Sequence, residues 1–404
     1  MLRAAKYILL TLAVLAVGFG IELGVILYPY FRLPDEPEEV IQAKIAEYQK
    51  LVDEAAARPK EDREELTRIV EKLEPLFKDP EGKNEKHLLF TDPNKCPAYD
   101  LAKIKRLDPA FQALMVEDDR VRTLLSDGLT IQADYQYTTN GNTSVYVKLA
   151  RWQSAAAVRE TEAGRTGAAV ERLRWSWRIA DGLEQSFPMV FTLVGIVCAE
   201  MTDSTLIYLL PRFNTQEVEN LADELNRLNS YTRTCVRSLK WELAGDFELQ
   251  RQAFERGDFS GPVDLGFKTE PLFLLLSRIT GFTHREFIVA RNFRLRVIEA
   301  EEQWANLGKP WPPPDPITYE ERSKTMMANS FDATYDKYLQ KSYIADQRLA
   351  AFKAAIQAEL KRRQTQDKRP IEIEFPGWAD GPDGKIVIDD EKGCIILDKQ
   401  EKAK

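Results

Sequence analysis

In separate segments between residues 38 and 365, apolar residues recur at steps of three and four, which sets them on one face of an α-helix. Ile41, Ile45, Tyr48 and Val52 predict a first amphipathic helix, and Leu66, Ile69, Leu73 and Leu76 a second beyond Pro59. Both are otherwise heavily charged and read as a solvated stalk or a helical hairpin. Residues 78–97 are rich in Pro, Gly and Asn and predict a loop. Asp108-Pro109 suits the start of a helix carrying Phe111, Leu114 and Met115, with a further helix over Val121–Ile131.

The stretch from Ser144 to Pro211 organises the chain. Val145, Leu149, Trp152 and Ala156 form one stripe, and Ala169, Leu173, Trp177 and Ala180 another. Gly164 and Gly167 bracket a turn between them, so the two stripes predict a helical hairpin. Trp175, two positions from Trp177, falls on a different part of the helix surface and is a candidate for meeting a partner. The next segment, from Met189, is apolar on nearly all faces and long enough to cross a bilayer. Glu200 and Asp203 interrupt it, and a carboxylate in lipid costs a few kcal/mol, so it reads as a helix buried by its neighbours. The two acids are one turn apart and are candidates for lining a groove.

Beyond Pro211, Asn214 or Thr215 caps a helix through Val218, Leu221, Leu225 and Leu228. Helices are expected over Tyr231 to Gly257, Pro271–Ile279, Phe282–Trp304 and Phe331–Arg363. Between the last two, KPWPPPDP (309–316) excludes helix and predicts an extended strap, with Trp311 as a candidate partner contact. The tail changes period. Ile371–Phe375 alternates as a strand does, and Lys385–Ile388 and Cys394–Leu397 flank a turn, giving a β-hairpin.

One segment stands apart. Residues 7–27 (YILLTLAVLAVGFGIELGVIL) are long and apolar enough to span a bilayer. Arg3 and Lys6 precede them and acids at 35, 36, 38 and 39 follow, so the positive-inside rule keeps the N-terminus cytoplasmic and exports the rest. The apolar run exceeds a usual signal-peptide core, and we read a retained anchor. The expected domains are a transmembrane signal-anchor (1–30), an acidic helical stalk and loop (31–97), a helical body (98–308), a Pro-rich strap and short helix (309–330), a long helix (331–365) and a small β tail (366–404).

Gly164, Ala169 and Leu173 follow the order of a glycine, a small residue and a large apolar residue that ends a tetratricopeptide-type repeat, which this hairpin resembles. The layout as a whole resembles a bacterial family of single-span, membrane-anchored proteins with a tetratricopeptide-like helical body and a small β tail. The matching pieces are residues 7–27, AGRTGAAVERL (163–173), RLAAFKAAIQAEL (348–360) and GPDGK (381–385). The resemblance implies a bacterial cytoplasmic-membrane, single-pass protein with an extracytoplasmic body; it transfers no catalytic residue.

The net charge of −8 disfavours nucleic acid, which needs clustered Lys and Arg. There are only two histidines, His87 and His284, and the four cysteines have no close spacing; zinc, redox and triad chemistry are therefore not expected. The acids at 380, 383 and 389–391 supply oxygens for calcium without the spacing of an EF-hand. No phosphate-binding glycine loop or hydrolase motif appears. The expected fold is mainly α: an N-terminal transmembrane helix, a tetratricopeptide-like hairpin body and a C-terminal β-hairpin. The expected function is a membrane-anchored, non-enzymatic scaffold that binds a protein partner and uses no cofactor. The alternative is a carboxylate-based hydrolase of envelope glycans.

Overall fold

The computed structural model describes residues 38–57, 63–77, 101–125, 143–185, 189–228, 230–256, 282–307, 328–366, 369–375, 384–389 and 393–398. The expected span at 7–27, the loop at 78–97, the helix at 271–279 and the strap with Trp311 lie outside these residues. Eleven α-helices are described: α1 Glu38–Ala57, α2 Arg63–Leu73, α3 Leu101–Arg106, α4 Asp108–Leu125, α5 Ser144–Glu162, α6 Thr166–Gln185, α7 Met189–Leu209, α8 Thr215–Arg227, α9 Tyr231–Arg256, α10 Phe282–Leu307 and α11 Ala328–Thr365. Short 3-10 turns extend α2 (Glu74–Phe77) and α7 (Leu210–Arg212). Three strands follow: β1 Ile371–Phe375, β2 Gly384–Asp389 and β3 Gly393–Asp398.

The chain divides into two compact units, residues 1–47 with 250–335 and residues 48–249 with 336–404. In the smaller unit, Ile41 and, on α10, Phe293, Leu295 and Ile298 are buried, and Lys44 pairs with Glu299 at 2.6 Å.

The larger unit is built on the α5–α6 hairpin. Ala163 ends α5, and Gly164 then takes φ +76°, the left-handed region that costs glycine nothing. Gly164 N–H donates to Thr161 O at 2.9 Å and Arg165 N–H to Glu160 O at 2.8 Å, the pair of bonds of a Schellman motif. Gly167, expected to share the turn, is an ordinary residue of the first turn of α6. Small residues let the two helices close up: Ser154 and Ser176 hydroxyls stand 3.4 Å apart and Ser176 also donates to Ala150 O at 3.2 Å.

Helix α7 packs along α6 and α5. It is long and apolar enough to cross a membrane by length and composition, yet 61% of its apolar window is buried inside the protein. Gly195 explains how close it lies: a Cβ there would stand 2.9 Å from Ala180 O and 3.2 Å from Glu184 N. Asn214 is the cap of α8, in a full capping box with Glu217 (2.9 and 2.8 Å).

Two expectations are corrected here. The stalk reading fails for α2, because Leu66, Ile69, Val70 and Leu73 belong to the same core as the hairpin. Its charged face is spent on ion pairs, Glu65 with Arg120 and Lys72 with Glu117. Phe77, at the end of its 3-10 turn, stacks on Trp152 with centroids 4.4 Å apart and meets Phe111 edge-on at 5.3 Å. Nor does a new helix begin at Val121: α4 runs unbroken to Leu125.

The tail is a three-stranded antiparallel meander, not a lone hairpin. Ile371 lies opposite Ile388 and Ile373 opposite Ile386. Ile386 and Ile388 are fully buried in the main core, so the alternation seals one side of the sheet. Arg363, near the end of α11, donates to Phe213 O (2.6 Å) and Leu210 O (2.9 Å), satisfying carbonyls where the 3-10 end of α7 leaves them.

Candidate functional site

The chemistry-bearing residues converge where α6, α7, α9 and α11 meet. On α7, the one-turn spacing of Glu200 and Asp203 holds; Asp203 is buried and Glu200 partly buried. Asp203 is 2% exposed and accepts a 2.7 Å hydrogen bond from the Trp177 indole N–H on α6. Glu200 is paired with Arg348 of α11 at 2.8 Å. Nearby, the Thr202 hydroxyl lies 2.6 Å from the Ser176 hydroxyl across the α6–α7 contact and 2.9 Å from Cys198 O within α7.

Glu184 of α6 is the most isolated of these groups. It is 1% exposed, and neither carboxyl oxygen has a hydrogen-bond partner among the described residues. Arg237 of α9 lies beside it but donates to its backbone carbonyl, at 2.9 Å. The Tyr231 hydroxyl, also buried, has no hydrogen-bond partner among the described residues either. Asp346 is fully engaged: from α11 it accepts from the Ser230 hydroxyl (2.7 Å), Tyr231 N–H (2.7 Å) and Thr232 N–H (3.0 Å). A carboxylate borrowed from a distant helix thus supplies the N-terminal cap of α9.

Burial dominates the electrostatics. It pushes Glu200 up to about 7, with Arg348 opposing and Asp203 adding to the rise. Burial likewise lifts Asp203 to about 7, against the Trp177 hydrogen bond and the charges of Lys353 and Arg348. Glu184 is raised well above the carboxylate range by burial, then by Asp181, Asp203 and Asp346, with Arg237 opposing. Lys353 is lowered by burial, with Asp203 and Asp346 holding it up. The Cys198 thiol is pushed up to about 12 by burial, which leaves it inert as a nucleophile.

The predicted contact residues fare unequally. Trp175 is not offered to a partner: it is 5% exposed, within the core, with the Arg178 guanidinium 5.6 Å from its ring centre. The reason is that α6 is covered by α5 and by α7, so both tryptophans of the pair are enclosed, while Gly167, Ala168, Glu171 and Arg178 stay exposed. Glu200 and Asp203 share a face as expected, but it is a packed seam rather than an open groove. Trp311 lies outside the described residues.

Sequence reasoning missed Glu184, Tyr231 and Asp346. Glu184 carried a signal, since it falls on the stripe of Trp177, Ala180 and Leu183, an acid at a core position. Asp346 carried none, because its partners lie more than a hundred residues away. Among the described residues no group of three or more His, Cys, Asp or Glu is disposed to hold a metal ion. Comparison with family models, curated proteins and solved structures gives no match of any kind.

Proposed function

We propose that this chain is a non-catalytic helical scaffold, held at a bacterial cytoplasmic membrane by residues 7–27, with its body extracytoplasmic and bound to a protein partner in the envelope. The observation that carries the non-catalytic part is the state of the acid pair. Glu200 and Asp203 lie one turn apart on α7; Asp203 is buried against the Trp177 indole, and Glu200, partly buried, is held on Arg348. A general acid must reach the proton it moves in a bound substrate. Asp203 is engaged by the α6 indole and Glu200 by the α11 guanidinium. The helical hairpin and its tetratricopeptide-like order support a role in binding, since stacked hairpins offer extended faces to partners.

The test has two arms. The intact protein is crosslinked in its native membrane through probes placed on the wet stripe of α6, at Glu171 and Arg178, and the crosslinked species is identified. A defined partner captured at these sites and lost on charge reversal supports the scaffold. In parallel the protein is incubated with purified envelope glycan. Release of soluble fragments by the wild type, abolished in Glu200→Gln, overturns the proposal in favour of a hydrolase.

A further inference from the structure

Helix α7 turns one apolar face outward. At the helical period Val190, Leu193, Val194, Val197 and Met201 fall within a single stripe about 100° wide. Val190 is 37% exposed and Val197 48%, and Leu193, Val194 and Met201 are half-buried. The stripe runs for about 17 Å along the helix and carries no charge. Glu200 borders it and is held on Arg348. Strand β3 packs on α7 and on the 3-10 turn that ends it, and the two valines remain exposed nonetheless. Other helices of the same unit face water in the usual way: the exposed residues of α6 include Glu171 and Arg178, and those of α8 Gln216, Asp223 and Asn226.

An aliphatic face of this kind suits lipid better than protein. The side chains that dominate protein interfaces are Trp, Tyr and Arg, with Leu and Val under-represented, and the stripe has none of the former. A net charge of −8 gives the body no attraction to anionic headgroups, so the contact is apolar and the lipid zwitterionic. Five aliphatic side chains are too few to hold a free protein on a bilayer. A tether changes the requirement, because the second contact then forms within one molecule, at an effective concentration on the order of millimolar. The larger unit begins at Tyr48, and residues 28–47 join it to the apolar run 7–27. Residues 38–47 of that connection are helix α1, so it reaches at most about 50 Å. We propose that the Val190–Met201 face of α7 lies on the lipid surface of the membrane, its aliphatic side chains entering the headgroup–acyl boundary while the helix stays packed on α6. This contact rests on residues 7–27 being the anchor and goes beyond that reading by giving the body a seat on the bilayer.

The full chain is reconstituted in phosphatidylcholine vesicles containing a lipid with a photoreactive diazirine in its upper acyl chain, and the adducts are mapped by peptide mass spectrometry. Adducts are expected within 7–27 and on residues 190–201, and not on residues 166–178 of α6. High salt leaves those on α7 unchanged, since an apolar contact is not screened. In the double variant Val190→Glu, Val197→Glu the α7 adducts are lost while those within 7–27 stay. Adducts within 7–27 alone leave the anchor standing and overturn the lipid contact of α7, the result expected if a protein or a second copy covers the face. Adducts on α7 without any in 7–27 support the contact and overturn the anchor. No adducts in either segment overturn both. Labelling of α6 to the same extent as α7, adducts on α7 that fall with salt, or adducts that persist in the variant also overturn the contact. Should the variant fail to fold, the wild-type map decides by itself.

Discussion

Replacing Gly195 by alanine tests the close approach of α7 to α6. A Cβ at this position would stand 2.9 Å from Ala180 O and 3.2 Å from Glu184 N, and 2.9 Å from Glu184 Cγ. The first two atoms are backbone, one turn apart on α6, so no side-chain rotation relieves them; α7 must shift away. Overpacking of this kind costs about 1–3 kcal/mol, while removing a glycine from a helix interior returns up to about 1 kcal/mol. The net loss of roughly 1–2 kcal/mol corresponds to a fall in melting temperature of about 2–8 °C for a body of this size. Two controls make the reading specific. A Cβ at Gly167 would meet nothing within 4 Å, and its φ is not positive, so Gly167→Ala should be neutral or raise stability. Gly164 also has open space, but its φ of +76° makes Gly164→Ala costly through the backbone alone. Thermal unfolding of the three variants side by side is the assay. An unchanged or raised melting temperature for Gly195→Ala would refute the close approach of α6 and α7.

Trp175→Ala and Trp177→Ala should both cost about 3–5 kcal/mol in chemical denaturation, since both rings are enclosed; a negligible loss at Trp175 would return that side chain to the surface. Asp346→Ala leaves the first N–H groups of α9 without their acceptor and should destabilise by about 1–2 kcal/mol, with the increase in amide exchange confined at first to residues 231–233. The pH profile has a definite sign. The folded protein binds protons at Glu200 and Asp203 that the unfolded chain has lost, so their contribution is complete below about pH 4 and fades as pH rises through about 7. Glu160 works oppositely. Burial alone would raise it, but Arg165, then Arg159 and Arg172, hold it below its ordinary value, and its contribution is lost as pH falls through that lowered value. Urea denaturation should therefore show greater stability at about pH 5.5 than at about pH 8, and the reverse ordering would contradict the burial of these acids.

The helical plan is legible because its signals are local. The 3.6-residue stripes of Trp152 and Trp177, the Asp108-Pro109 start, the Asn214 cap and the strand alternation at Ile371 each act within a few residues. What a local pattern lacks is context beyond one helix. Leu66, Ile69 and Leu73 do mark a face, but nothing near them tells that the face meets α4 and α5 rather than solvent. Trp175 points outward only if α6 has one apolar stripe, and α6 is covered from two directions. At the acid seam, the pairing of Glu200 with Asp203 follows from helix geometry. Arg348, Asp346 and Tyr231 enter only through contacts that no local pattern encodes.

The cap on α9 also has a temporal side. Tyr231 and Asp346 are separated by 115 residues, so the ribosome delivers the start of α9 long before the carboxylate that completes it. At about 5–20 residues per second the wait is roughly 6–23 s. Through that interval the core lacks the contributions of Leu349, Phe352 and Ile356. A nascent chain paused before residue 346 would expose a sticky, unfinished body, a natural substrate for holding chaperones and proteases. Stop codons or frameshifts upstream of α11 should consequently be removed as whole proteins, not tolerated as shortened ones.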